Sequence, residues 1–217
     1  SRFAPGNRWG VFPAAALAWK MEEEDFIKNI NTISQLKLRA SWGVTGQQDI
    51  GPFYPYLPIM RRSEQTAMYQ FGDQFFNTLR PDAYDANIKW EETVTWNAGL
   101  DYGLWGDKVF GSLDVYYRET RDMLNFIRIP AGSNFSNFLT TNVGSLVNKG
   151  FEATINYVPI SRQDFMWSIS GNLTYNVNEI TRLVAAGADD FPGVPAGNIA
   201  GGTGNTIMNQ QIGYPVN

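Results

Sequence analysis

Neighbouring carboxylates are the residues of this sequence best suited to chemistry: Glu22-Glu23-Glu24-Asp25, Glu91-Glu92 and Asp189-Asp190. Two carboxyl groups flanking a glycosidic bond are the machinery of glycoside hydrolysis. Neighbours on an extended strand point to opposite faces, so Glu91 and Glu92 cannot flank one bond. The run at 22–25 falls in a link between extended segments, where acidic residues cap a short helix start and sit in water. Gly201-Gly202-Thr203-Gly204 is dense enough in glycine for a phosphate loop, but no Lys completes the pattern, so it reads as a flexible loop. Asn134-Phe135-Ser136 and Asn172-Leu173-Thr174 are formal glycosylation sequons, the second inside an extended segment.

Cys and His are both absent. That removes disulfides, thiol chemistry, the commonest metal ligand and the commonest general base. No catalytic residue, metal or cofactor is expected. A net charge of −4 without a basic stripe opposes nucleic-acid binding. Binding chemistry is more promising. Phe53, Tyr54, Tyr56, Tyr69, Phe71, Phe75 and Phe76 crowd one long loop segment, and flat rings can stack on sugar faces while phenol hydroxyls bond to sugar hydroxyls. Tyr54, Tyr56, Tyr69 and Phe71 are the candidate substrate contacts; the same rings could equally pack the loop on itself.

Composition limits what positions these groups. Charged residues are 18% of the chain, against about 25% in soluble domains, and Phe, Trp and Tyr reach 14%. The longest apolar run, Val11 to Trp19, is far short of the ~20 residues of a membrane-spanning helix. Period-2 alternation dominates instead. Over 167–178, Trp167, Ile169, Gly171, Leu173, Tyr175 and Val177 oppose Ser168, Ser170, Asn172, Thr174, Asn176 and Asn178. The same rule predicts strands over 90–104, 109–117, 151–157, 36–44 and, least cleanly, 9–19, making six.

Connections alternate in length. Those at 105–108 and 159–164 are tight, 20–35 is a medium link, and 46–87, 125–142 and 184–217 are long and rich in Gly, Pro, Asn and Asp. Short turns at one end and long loops at the other suit an outer-membrane barrel. Spans of 9–11 residues suit a tilted bilayer crossing better than the 5–6 of soluble strands. Aromatics near the span ends, such as Trp19, Trp90, Tyr102, Trp105, Trp167 and Tyr175, fit interfacial rings. The expectation is an all-β, antiparallel, transmembrane β-barrel segment of about six long strands in an open curved sheet. Thr95, Asn97, Asp101, Asp114, Glu152, Asn156 and Asn172 then face the lumen, and Trp96, Leu100, Val115, Ile155, Ile169 and Leu173 face lipid. Alternation alone leaves open a secreted carbohydrate-binding β-sandwich, and a surface enzyme is the third class.

Five segments carry a more specific signal. They are Arg8 to Trp19, Leu36 to Gln47, Tyr84 to Glu91, Ile129 to Asn134 and Asn142 to Glu152, taken in order along nearly the whole chain. Together they resemble the C-terminal barrel region of the SusC/RagA family of TonB-linked outer-membrane transporters. The resemblance implies a 22-stranded barrel with an N-terminal plug, a SusD-like surface lipoprotein as lid, and energy delivered through TonB. It implies import of oligosaccharides or peptides across the bacterial outer membrane, with no enzymatic step. The sequence opens at Ser1-Arg2-Phe3-Ala4-Pro5 with neither a starting Met nor a leader pattern. Residues 1–217 are therefore expected to be one partial barrel domain, with plug, TonB-contacting segment and barrel C-terminus outside it.

Overall fold

The computed structural model describes residues 2–49, 51, 53–63, 68–129, 136, 138–183, 193–198 and 206–216. Its strands in chain order are β1 (Ala14–Lys20), β2 (Ile33–Gln47), β3 (Met60–Arg62), β4 (Met68–Phe71), β5 (Gln74–Asn77), β6 (Leu79–Pro81) and β7 (Glu91–Leu104). There follow β8 (Val109–Arg121), β9 (Leu124–Arg128), β10 (Phe138–Asn142), β11 (Ser145–Ser161), β12 (Met166–Arg182), β13 (Val194–Asn198) and β14 (Thr206–Gln210). Six of them form one antiparallel meander in the order β1-β2-β7-β8-β11-β12, and the others pair two by two in the long connections, β3 with β6 around the β4–β5 hairpin, β9 with β10 and β13 with β14. The sheet is open, because β1 pairs only with β2 and β12 only with β11.

Register fixes the two faces. Leu17, Ala40, Ala98, Val115, Phe151 and Tyr175 form one continuous row across all six strands. Ala18, Arg39, Gly99, Asp114, Glu152 and Thr174 form the adjoining row on the opposite face. A one-residue slip in any pair would put an apolar row among polar ones, which is why alternation holds the register so firmly. Nothing covers the apolar face among the described residues: Trp96 is 56% exposed, Val115 55% and Leu173 60%. No second sheet packs there, so the β-sandwich expectation is not what this chain builds.

Four of the expected spans are too short and one is too long. The ladder runs over 33–47, 109–121, 145–161 and 166–182, because backbone pairing continues past the apolar band. There Glu119, Lys149 and Glu179 take the positions that apolar residues hold lower down. The span expected at 9–19 shrinks to Ala14–Lys20. Pro13 has no N–H to give a ladder, although its carbonyl accepts from Val44 N at 2.9 Å. Phe12 lies over Gly46 and meets Trp90 edge-on, with ring centroids 5.3 Å apart. The acidic link is also corrected: it forms a short 3-10 turn over Met21–Glu23 with no side-chain cap. Its carboxylates serve the neighbouring strands instead, as Glu24 accepts from Trp19 Nε1 at 2.9 Å and Glu22 from Leu36 N at 3.3 Å.

Of the five buried apolar residues among those described, Ile27 lies in the link between β1 and β2, and the other four gather at the end of the sheet that carries the long connections. Ile88 is fully buried, Phe3, Val143 and Ile180 nearly so, and Phe3 stacks on Trp90 at 5.1 Å. Asn142 bonds both the N–H and the carbonyl of Lys89, each at 2.8 Å, and also the Asp122 carbonyl at 2.8 Å. Asp122 in turn pairs with Lys89 at 2.6 Å and Arg182 at 3.2 Å. This corner clamps the roots of two long connections onto β8, β11 and β12.

An open edge and an uncovered apolar face are both intolerable in water. The 217-residue chain expressed alone is therefore expected to aggregate or to require detergent. Size-exclusion chromatography and thermal melting check this; a monodisperse, cooperatively melting monomer without detergent would contradict the uncovered face.

Candidate functional site

Three side chains cross a middle strand to reach the strand beyond, each at a glycine. On the polar face Arg39 of β2 lies over Gly99 of β7 and reaches Asp114 of β8, Nη2 to Oδ2 3.0 Å. Its Nε and Nη2 also bond Asp101 at 2.8 to 3.1 Å, and Lys37 approaches Asp101 at 3.5 Å. Two cations thus meet two carboxylates. A Cβ at Gly99 would strike both the Asp114 carboxylate and the Arg39 guanidinium. Tyr116 of β8 likewise lies over Gly150 of β11 and donates to Asn176 Oδ1 at 3.1 Å. On the other face Tyr102 passes Gly111 and donates to the Thr154 carbonyl at 3.1 Å.

The polar face is crowded with hydrogen-bonding groups. Thr95, Asn97, Asp114, Tyr116, Arg118, Asn148 and Glu152 line a recess of about 460 Å³, and the buried Asn148 Oδ1 has no partner among the described residues. Ser170 donates to Asn156 Oδ1 at 2.7 Å. All seven residues expected to face the lumen, Thr95, Asn97, Asp101, Asp114, Glu152, Asn156 and Asn172, share this face by register. Trp96, Leu100, Val115, Ile155, Ile169 and Leu173 share the opposite one.

Aromatics mark the apolar face near the long connections. Trp42, Trp96 and Tyr117 are cross-strand neighbours, with the two indoles 5.9 Å apart, and Phe151 stacks on Tyr175 at 5.8 Å. Trp167 stands eight residues before Tyr175 on β12, about 27 Å along the strand and about 20 Å along the axis of a barrel tilted ~40°. That is close to the apolar band of such barrels, about 25 Å tall.

The long connections enclose a second, larger cavity of about 680 Å³. One wall is the β3–β6 pair, presenting Ile59, Arg61, Arg80 and Asp82; the facing wall is the β9–β10 pair, presenting Leu124, Phe126, Phe138 and Thr140. Phe53, Tyr54, Pro55 and Leu57 close it. Phe126 and Phe138 stack at 5.1 Å with planes 12° apart. Of the expected contacts only Tyr54 lines this cavity. Tyr56 sits beside it with ring centroids 6.3 Å apart, half-buried. Tyr69 and Phe71 lie on the separate β4–β5 hairpin, exposed and outside the cavity. Sequence reading missed Phe126, Phe138, Arg61 and Arg80; the alternation Leu124, Phe126 was a usable signal.

The carboxylate pairs find structural partners. Glu91 accepts from Leu124 N at 3.0 Å, and Asp25 pairs with Lys28. Asp189-Asp190, the glycines at 201–204 and Asn134 lie outside the described residues. Among the described residues no group of His, Cys, Asp and Glu is arranged to hold a metal ion.

Long antiparallel strands with one apolar and one polar face have the build of a transmembrane barrel wall. Residues 1–214 match the family described as TonB dependent receptor-like, beta-barrel. The TonB-dependent receptor SusC of Bacteroides thetaiotaomicron is 46% identical over 217 residues, all of this chain and 22% of that protein. The TonB-dependent receptor P39 of Formosa agariphila is 38% identical over 187 residues, 84% of this chain and 17% of that protein. Among solved structures the RagAB peptide transporter superposes with a TM-score of 0.78 at 26% identity, over 99% of this chain and 22% of the matched one. The chain belongs to the SusC/RagA group of TonB-dependent receptor β-barrels. It spans about a fifth of the length of the relatives it matches.

The glycine crossings give a paired test in the full-length protein in detergent. Gly99→Ala must displace the Arg39–Asp114 pair and is expected to cost about 1–3 kcal/mol. Gly171→Ala meets only Ile155 at an ordinary 3.6 Å and should stay within about 0.5 kcal/mol. Denaturation midpoints compare the two; equal midpoints would remove Gly99 from any role in seating Arg39.

Proposed function

We propose that this chain is a six-strand sector of the wall of an outer-membrane importer of oligosaccharides or peptides, lying in the bacterial outer membrane. The observation that carries the reading is the strand register, which is continuous from β2 to β12 apart from irregularities at 33–35, 145–146 and 157–160 and gives five of the six strands one apolar and one polar face. The apolar face, with Trp96, Leu100, Val115, Ile155, Ile169 and Leu173, meets lipid. The polar face, with Thr95, Asn97, Asp101, Asp114, Glu152, Asn156 and Asn172, lines the passage. Lumenal Asn, Thr, Asp and Glu offer hydrogen bonds to passing cargo without a covalent step.

The long connections are the extracellular side, and their 680 Å³ cavity is the first built surface that cargo meets. Tyr54 is the best placed of the four aromatic candidates there. A SusD-like surface lipoprotein is the partner on this side, and TonB supplies energy through parts of the full-length protein beyond residues 1–217. Similarity to SusC and to the RagAB peptide transporter supports both partner and cargo class.

Cysteine labelling tests the faces in the full-length protein. Cys at Ile169, Leu173 or Val177 should be shielded by lipid, while Cys at Ser170, Asn172 or Thr174 should react with small aqueous thiol reagents; an unpatterned series would sink the assignment. Leu173→Arg should cost about 2–4 kcal/mol, the depth-dependent penalty for charge on a lipid face. Topology has its own check: an epitope inserted near Ser63 should be reached by antibody on intact cells and one at Asp107 should not, and the reverse pattern would invert the orientation.

A further inference from the structure

The cavity between the two external hairpins contains an arrangement that the importer reading does not explain. Arg61 and Arg80 are direct cross-strand partners of the β3–β6 pair, and both line the cavity. Like charges placed directly opposite destabilise a strand pair. Arg61 is neutralised by Asp82. The Arg80 side chain makes no ion pair or hydrogen bond among the described residues. The second carboxylate on the lining, Asp49, is taken by Arg2, which approaches from outside the cavity and stacks over Phe53 at 5.4 Å. Among the described residues the cavity thus holds two arginines against one available carboxylate, and the excess charge is the Arg80 guanidinium.

Its surroundings narrow the ligand. A guanidinium binds a carboxylate through two parallel N–H···O bonds, a fork that an ammonium cannot reproduce. Across the cavity the stacked Phe126 and Phe138 offer a flat apolar face. A cavity of this size takes an elongated small molecule rather than a single ion.

We propose that this cavity seats the carboxylate-bearing end of an elongated cargo molecule, with Arg80 gripping the carboxylate and Phe126 and Phe138 packing on the body behind it. The inference rests on the importer reading, which it sharpens from oligosaccharide or peptide to cargo with a terminal carboxylate. Two sources carry that group: the C-terminus of a short peptide and the uronate of an acidic glycan.

Calorimetry on the full-length protein in detergent, with four probes, separates them. Tetra-alanine is compared with its C-terminal amide, and trigalacturonate with maltotriose. The acid of at least one pair should bind about tenfold or more tighter than its neutral counterpart, and whichever pair does so identifies the source. Arg80→Gln should abolish that preference. Arg62→Gln removes the same charge from the opposite face of the same strand pair and should leave it intact. Equal binding within both pairs overturns the proposal, as does an equal loss in the two variants, which would reduce the effect to general charge. Uptake assays with wild-type cells keep the two readings apart: a protein that imports cargo yet binds acid and neutral probes alike refutes the carboxylate seat alone, whereas failure to import any cargo refutes the importer.

Discussion

A sheet one layer thick has no core, and this constraint governs the rest of the molecule. Strand pairing supplies its backbone bonds, but among the described residues no second layer packs on either face to lock neighbouring strands together. The chain answers with side chains long enough to skip a strand, each laid across a glycine: Arg39 over Gly99, Tyr102 over Gly111 and Tyr116 over Gly150. Such links tie β2 to β8, β7 to β11 and β8 to β12, so each pairing is braced by the next. On the polar face the braces also neutralise charge, because Asp101 and Asp114 share Arg39. The polar face can thereby carry charged groups without letting them repel one another.

How much of this was legible depended on whether the signal was local. Faces were legible because period-2 alternation is a property of each strand by itself; Ile169 and Asn172 could be assigned to opposite faces without knowing their neighbours. Strand ends were not. Alternation of apolar with polar residues stops where the apolar band stops, yet the ladder continues through Glu119, Lys149 and Glu179, where backbone pairing needs no apolar side chain. Glycines at 99, 111 and 150 were visible on their strands, but their purpose lies in which residue faces them across the sheet, and register is not written in one strand alone.

The cavity shows the same boundary between local and non-local information. Aromatic density singled out Tyr54, Tyr56, Tyr69 and Phe71 because they are close in sequence, but the chain folds Tyr69 and Phe71 onto their own hairpin. Phe126 and Phe138 are separated by a connection and stack only because β9 pairs with β10. Arg61 and Arg80 meet only because β6 returns to β3 across an intervening hairpin. Each wall is therefore a product of strand pairing within a connection, which a reading of loops as unpaired segments cannot reach.

The corner built on Ile88, Trp90, Asn142 and Asp122 explains how such connections can hold a cavity in place. Long segments have little buried area of their own and would otherwise sample many arrangements. Here the segment 84–91 and the corner at 142–145 are pinned to each other and to the sheet through the Asn142 amide and the Asp122 ion pairs. Asp85 adds a bond from the Thr141 hydroxyl at 2.5 Å, and Glu91 takes the Leu124 N–H. The first wall springs from residues just before this corner and the second from residues just around it. Two of the five segments that resemble the family, 84–91 and 142–152, supply several of these anchors. Their part in the fold is to hold the roots of the long connections steady against the sheet.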